Sequence, residues 1–283
     1  MSRELVFLGV ALSLGGVSLT ACGFLPAKVE DLHGGSGLDL EHAAWRRLWL
    51  PVLPALAVFA VLIGWASQEP PQTDELLTGS AALVALPLVW IAVRALVRAG
   101  RALADRTGAG PAGTAGVLRP RVFVNDAFCA ELDQPSLAAT YAHEHAHARH
   151  RDPLRLWLAQ LVTDLQWPGA AARSRLRAWR AALELARDEE ARLSGIAGED
   201  LAAAIMAAIR HQQVRTSSTS VSLTSADDIL RVRIRRLLSP VPPRAGQQVR
   251  TPLLVVAMLI TCGVVGHVFG DEILRALPFI SPS

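Results

Sequence analysis

Apolar positions along this chain gather into four blocks. Residues 5–27, 48–68, 76–93 and 251–270 contain no Asp, Glu, Lys or Arg, and each approaches the roughly 17–25 residues that cross a bilayer as a helix. They predict four transmembrane helices, although the third and shortest block also suits a buried helix hairpin. The chain is therefore expected to divide into three spans over 1–98, a polar region over 99–250, and a fourth span with a short tail over 251–283.

Inside the polar region the periodicity is helical, with one exception. Leu137 to Ala148 is rich in Ala and Leu and free of breakers, with Asp133 and Ser136 as cap candidates and Pro135 in the first turn. Asp152-Pro153 ends it, with Asp152 expected to cap the next helix and Pro153 to open it. Helices follow over Pro153–Trp167, Arg173–Ser194, Glu199–Gln213 and Ala226–Leu238. The exception is Pro120–Val124, a short β-type run stopped by Asn125-Asp126. Residues 107–116 (TGAGPAGTAG) lack a Gly-Lys-Ser/Thr and read as a flexible linker.

A hydrophobic fraction of 51% and a mean hydropathy of +0.32 are too apolar for an ordinary soluble protein and support the membrane expectation. Arginines set the orientation. Arg94, Arg98, Arg101 and Arg106 follow the third block, and Arg231, Arg233, Arg235, Arg236, Arg244 and Arg250 precede the fourth, which puts 99–250 in the cytoplasm. Lys28, Arg46 and Arg47 between the first two blocks, and Glu69, Asp74 and Glu75 without a cation between the next two, agree with external termini. The arginine helix beside the last block suits anionic headgroups better than nucleic acid, and no direct nucleic-acid binding is expected. Cys22, Cys129 and Cys262 cannot make a disulfide framework. Leu19-Thr-Ala-Cys22 does resemble a lipoprotein cleavage box, with the four-span pattern as the competing reading.

Half of the eight histidines fall between 143 and 150, within His143-Glu144-His145-Ala-His147-Ala-Arg149-His150. On a helix His143 and His147 share a face and can reach one ion, while Glu144 can take a proton from a water beside it. A third protein ligand is needed for a catalytic zinc with an open position. Glu184 on the Arg173–Ser194 helix supplies it, with Asp188 one turn on as the partner of a ligating imidazole. The alternative is that both acids are solvated among Arg187, Glu189, Glu190 and Arg192. His145 points about 160° from the ligand pair and His150 sits at the helix end. His150 and Glu189 are the reserve candidates for the third ligand. Glycine is absent at 150 and histidine at 153, which excludes the longer three-histidine motif.

In their order, Arg121-Val-Phe-Val, His143-Glu144-x-x-His147 with Arg151-Asp152, Trp167-Pro168 and Glu184-Leu-Ala-Arg-Asp188 resemble the BlaR/MecR family of integral-membrane zinc metallopeptidases. The resemblance implies a mainly α protein with a cytoplasmic gluzincin-like domain and a small β element. It implies zinc on His143, His147 and Glu184, Glu144 as acid/base, and a BlaI/MecI-type winged-helix repressor as substrate. Arg187 departs from the family's usual Cys. The chain ends at Ser283, soon after the fourth block, so no penicillin-binding sensor domain is expected. Two rivals remain open: an HtpX/CAAX-protease-like processing or quality-control peptidase, and a non-catalytic membrane receptor or scaffold with a structural zinc.

Overall fold

The computed structural model describes residues 13–21, 35–67, 79–104, 110–215, 224–241 and 251–276. The chain is mainly helical. The described elements begin with α1 (residues 13–21), α2 (Gly37–Trp49), a 3-10 turn (Leu50–Val52), α3 (Leu53–Ala66) and α4 (Gly79–Ala104). The strands β1 (Ala112–Ala115) and β2 (Arg121–Val124) lead through the single turn α5 (Asp126–Cys129) to α6 (Gln134–Arg149) and α7 (Asp152–Leu165). Then come α8 (Ala170–Leu193), α9 (Gly198–Arg215), α10 (Thr224–Leu237) and α11 (Thr251–Ala276). Cys22, Lys28, the acidic loop at 69–75, Arg244 and Arg250 lie outside the described residues.

Two apolar cores meet on α8, and the second seats α6 against it. In the first, Leu48 and Val52 meet Ala159 and Val162 of α7 and Trp179 and Leu183 of α8, with Trp45 and Trp49 packed against them. In the second, Ala139 of α6 and Ala191 of α8 meet Leu201 of α9 and Leu237 of α10. The first turn of α6 is fixed by Asp133, whose carboxylate accepts the Ser136 N–H at 2.9 Å, as the cap chemistry predicts. At its other end Arg151 takes a left-handed conformation, φ 52°, and turns the chain into α7.

Contrary to the expected linker, Ala112–Ala115 forms β1. It pairs antiparallel with β2 from Ala112 opposite Val124 to Ala115 opposite Arg121. Small residues carry little strand propensity, but here the partner strand decides. The Phe123 ring lies over Gly113, where a Cβ would come within 2.8 Å of it, and Gly116 makes the turn at φ 95°.

α2 lies along α8, so the segment before the second apolar block belongs to the packed helical body. A Cβ on Gly37 would lie 2.6 Å from the Leu185 carbonyl oxygen. The Ser36 hydroxyl and the Gly37 N–H each donate to Glu189 at 2.5 Å. Among the described residues one stretch, Gly37–Trp65, is long and apolar enough to cross a membrane, with a hydropathy of 2.2 and 28% of its apolar window buried. The apolar part of α11, Val255–Gly270, is shorter. α3 and α11 meet backbone to backbone, since a Cβ on Gly64 would fall 2.0 Å from the Gly263 oxygen and one on Gly266 2.1 Å from that of Val61.

The α2 contact makes a testable contrast between two glycines. Gly37→Val drives a side chain into backbone and should cost at least the roughly 1–3 kcal/mol of an overpacked core. Gly100→Ala, in helix with nothing within 4 Å, should gain up to about 1 kcal/mol. Thermal unfolding of the full chain should show a lower midpoint for the first variant and an equal or higher one for the second.

Candidate functional site

His143 and His147 stand one turn apart on α6 with their Nε2 atoms 3.1 Å from each other. Glu184 reaches across from α8. Its Oε2 lies 3.5 Å from His143 Nε2 and its Oε1 3.7 Å from His147 Nε2. Tetrahedral ligand atoms bonded to an ion at about 2.0–2.1 Å lie about 3.3–3.4 Å apart, a value the three separations bracket. All three donors fall within 4.8 Å of one another, with His147 buried and the other two half-buried. Two imidazoles and a carboxylate, converged from two helices and open on one side, could hold a metal ion.

Each imidazole is turned toward that point by what meets its other nitrogen. Asp188 Oδ1 lies 3.0 Å from His143 Nδ1, an ion-pair contact without an aligned hydrogen bond. Asp152 Oδ2 lies 2.9 Å from His147 Nδ1. Contrary to the expectation from sequence, Asp152 therefore does not cap α7. Arg151 holds the cap position without a side-chain bond, and the Asp152 carboxylate faces back to the histidine.

Both carboxylates are buried, and each is gripped by arginine. Arg233 of α10 donates from Nε and Nη2 to Asp188, both at 2.8 Å, and its Nη1 lies 3.0 Å from Glu184 Oε2. Arg187, 1% exposed, donates from Nε at 2.5 Å and Nη2 at 3.1 Å to Asp152. Arg155 adds a third bond to Asp152 at 3.1 Å. Arg233 is thus withdrawn from the expected headgroup cluster. Its role carried no local signal, because the partners lie on another helix. Asp152 had one: an acid just past the break that ends a ligand-bearing helix.

Glu144 points along the same groove. The Thr114 hydroxyl of β1 lies 3.0 Å from both its Oε2 and its carbonyl oxygen. These groups open on a cavity of about 760 Å³ lined by Pro111 and Ala112, by Leu201, Ile205 and Ile209 of α9, and by Arg233. The remaining histidines of the motif stay out. His145 is exposed, and His150 pairs with Glu190 at 2.9 Å. Glu189 is also excluded as a ligand, since it faces Ser36 and Gly37.

The charges are strongly coupled. Burial disfavours the charged form of His143, but the Asp188 and Glu184 carboxylates outweigh it and raise the imidazole to about 10. Burial would raise Glu184; Arg233 and the two histidines instead hold it well below the usual carboxylate range. Asp188 is held at about 2 against burial, mainly by Arg233 and His143. The metal-free site thus keeps a proton on His143 at neutral pH, and a bound ion must displace it.

That displacement fixes a sign. His143 keeps its proton up to about pH 10, so between pH 6 and 9 each ion bound releases about one proton and affinity should rise about tenfold per pH unit. Zinc competition titrations at several pH values should show one site per chain with this slope. His147→Ala and Glu184→Ala should abolish it, and a pH-independent affinity would contradict the assignment. Comparison of the chain with protein-family models, curated proteins and solved structures finds no match.

Proposed function

We propose that this chain is a zinc-dependent endopeptidase held at a membrane, with a gluzincin-like site. The observation that carries the reading is the convergence of His143, His147 and Glu184, with His143 and Glu184 lining one open cleft together with Glu144. Two histidines and a glutamate form the donor set of a catalytic zinc that keeps one position free. Zinc held there would supply a Lewis acid that polarises the scissile carbonyl and acidifies a water.

The chain's own residues do the rest. Glu144 takes the proton of the attacking water and hands it to the leaving amine. Thr114 keeps that carboxylate aimed into the groove. Arg233, tied to Glu184 and Asp188 at the cleft wall, offers a fixed positive charge where negative charge develops. Among the described residues the sheet has two strands, which leaves the outer edge of β1, beside Pro111 and Ala112, free to pair with an extended peptide. The apolar α9 wall would accept apolar side chains.

Four spans with the site on the cytoplasmic side complete the proposal. Exposed Leu86, Val89, Trp90 and Val93 on α4, and Val256, Ile260, Val264 and Val268 on α11, support lipid contact. The glycine contacts of α3 with α11 are of the kind that membrane helix pairs use. The arginine end of α4 is tied to the helical body, with Arg98 Nε 3.0 Å from Asp164 and Arg94 over the Trp167 ring. This supports a site on the arginine-rich side. The resemblance to the BlaR/MecR family favours a cytoplasmic repressor as substrate.

Glu144→Gln isolates the chemistry, since it keeps all three ligands and removes the base. Zinc should remain bound while cleavage of an unfolded protein such as casein falls by at least about 10²–10⁴-fold. Full activity in that variant would mean that Glu144 is not the base and would end the hydrolase reading.

A further inference from the structure

We propose that α2 is a positioning arm for the metal site, in which Glu41 acts through Arg155 and Asp152 to set His147, so that the seating of α2 controls how tightly metal is held. The inference rests on the metal reading of His143, His147 and Glu184 and concerns the regulation of that site.

The path is made of direct contacts between buried or half-buried groups. Asp152 meets His147 Nδ1 at 2.9 Å through Oδ2 and accepts from Arg155 Nη1 at 3.1 Å through Oδ1. The other arm of that guanidinium, Nη2, donates to Glu41 Oε1 on α2. The same Glu41 oxygen accepts from Trp179 Nε1 at 2.9 Å. Arg155 lies over the Trp45 ring at 4.7 Å and the Trp179 ring at 5.5 Å. A planar guanidinium packed on two indoles moves as one piece, so a shift at Glu41 reaches Asp152 without being absorbed between them.

Both ends of α2 suit this role. Its N-terminus is pinned to α8 through Ser36, Gly37 and Glu189. Its C-terminus runs through the Leu50–Val52 turn into α3, the apolar half of the membrane-crossing candidate. A tilt of α3 is therefore passed to Glu41. Arg187 grips Asp152 independently, so the arm tunes an assembled site and does not create it. Removing the Glu41 charge leaves Arg155 to draw on Asp152 alone, which weakens the hold of Asp152 on His147.

Binding linkage gives a test that needs no variant. If the seating of α2 raises zinc affinity, zinc must tighten that seating by the same factor. Hydrogen exchange of the full-length protein with and without Zn2+ should then show slower exchange in α2, as well as in α6 and α8. Glu41→Gln should confine the protection to α6 and α8, lower zinc affinity by about tenfold, and shift the visible bands of the Co2+-loaded protein. Arg155→Lys, which keeps the charge but loses the fork, should do the same. Protection of α6 and α8 with α2 unchanged would overturn the arm and leave the metal site standing. No protection anywhere would overturn the metal reading and the arm together.

Discussion

Everything at this site depends on two buried carboxylates. Asp188 and Asp152 each stand behind one imidazole, and each is gripped by an arginine, Arg233 and Arg187 respectively. An ionised carboxylate taken out of water costs several kcal/mol unless it is paired and hydrogen-bonded, and the arginine fork satisfies both oxygens at once. Asp152 is hydrogen-bonded to His147 Nδ1 and Asp188 stands 3.0 Å from His143 Nδ1, which leaves the Nε2 atoms to face each other and Glu184. The two His-Asp-Arg chains thus set the direction of the donors before any ion arrives.

The fold follows from assembling those chains. α6 supplies both histidines, α7 begins with Asp152, α8 carries Glu184, Arg187 and Asp188, and α10 brings Arg233. No two neighbouring helices can do this alone, so both apolar cores are needed. The core around Trp179 seats α7 and α2 on α8, and the core around Leu201 seats α9 and α10 over α6. The cleft is what remains between α9, β1 and the ligand face of α6. Arg187 gains a purpose in this arrangement, since with Arg155 it fixes Asp152.

What could be read from the sequence was local. His143, Glu144 and His147 reveal themselves because a helix turn fixes their relation, and the spacing of Glu184 and Asp188 works the same way one helix later. The helices of the polar region were legible from periodicity, and so was β2 from its branched and aromatic run. What escaped was set by contacts distant in sequence. Asp152 followed by proline looks like a cap, and only the left-handed Arg151 turns its carboxylate back to His147. Arg233 lies in a basic helix where nothing nearby marks it as different. Ala112–Ala115 has little strand propensity apart from Thr114, and it pairs with β2 where Phe123 covers Gly113. Ser36 and Gly37 dock α2 on Glu189, 152 to 153 residues away, a contact that no local pattern marks.

The central claim is that His143 and His147 through Nε2, with Glu184, hold a zinc ion. X-ray absorption at the zinc edge of the purified full-length protein tests it most directly. The expected result is a first shell of nitrogen and oxygen at about 2.0–2.1 Å with imidazole scattering behind it. A sulfur shell at about 2.3 Å, drawn from Cys129 or Cys262, or a protein that retains no zinc, would contradict it.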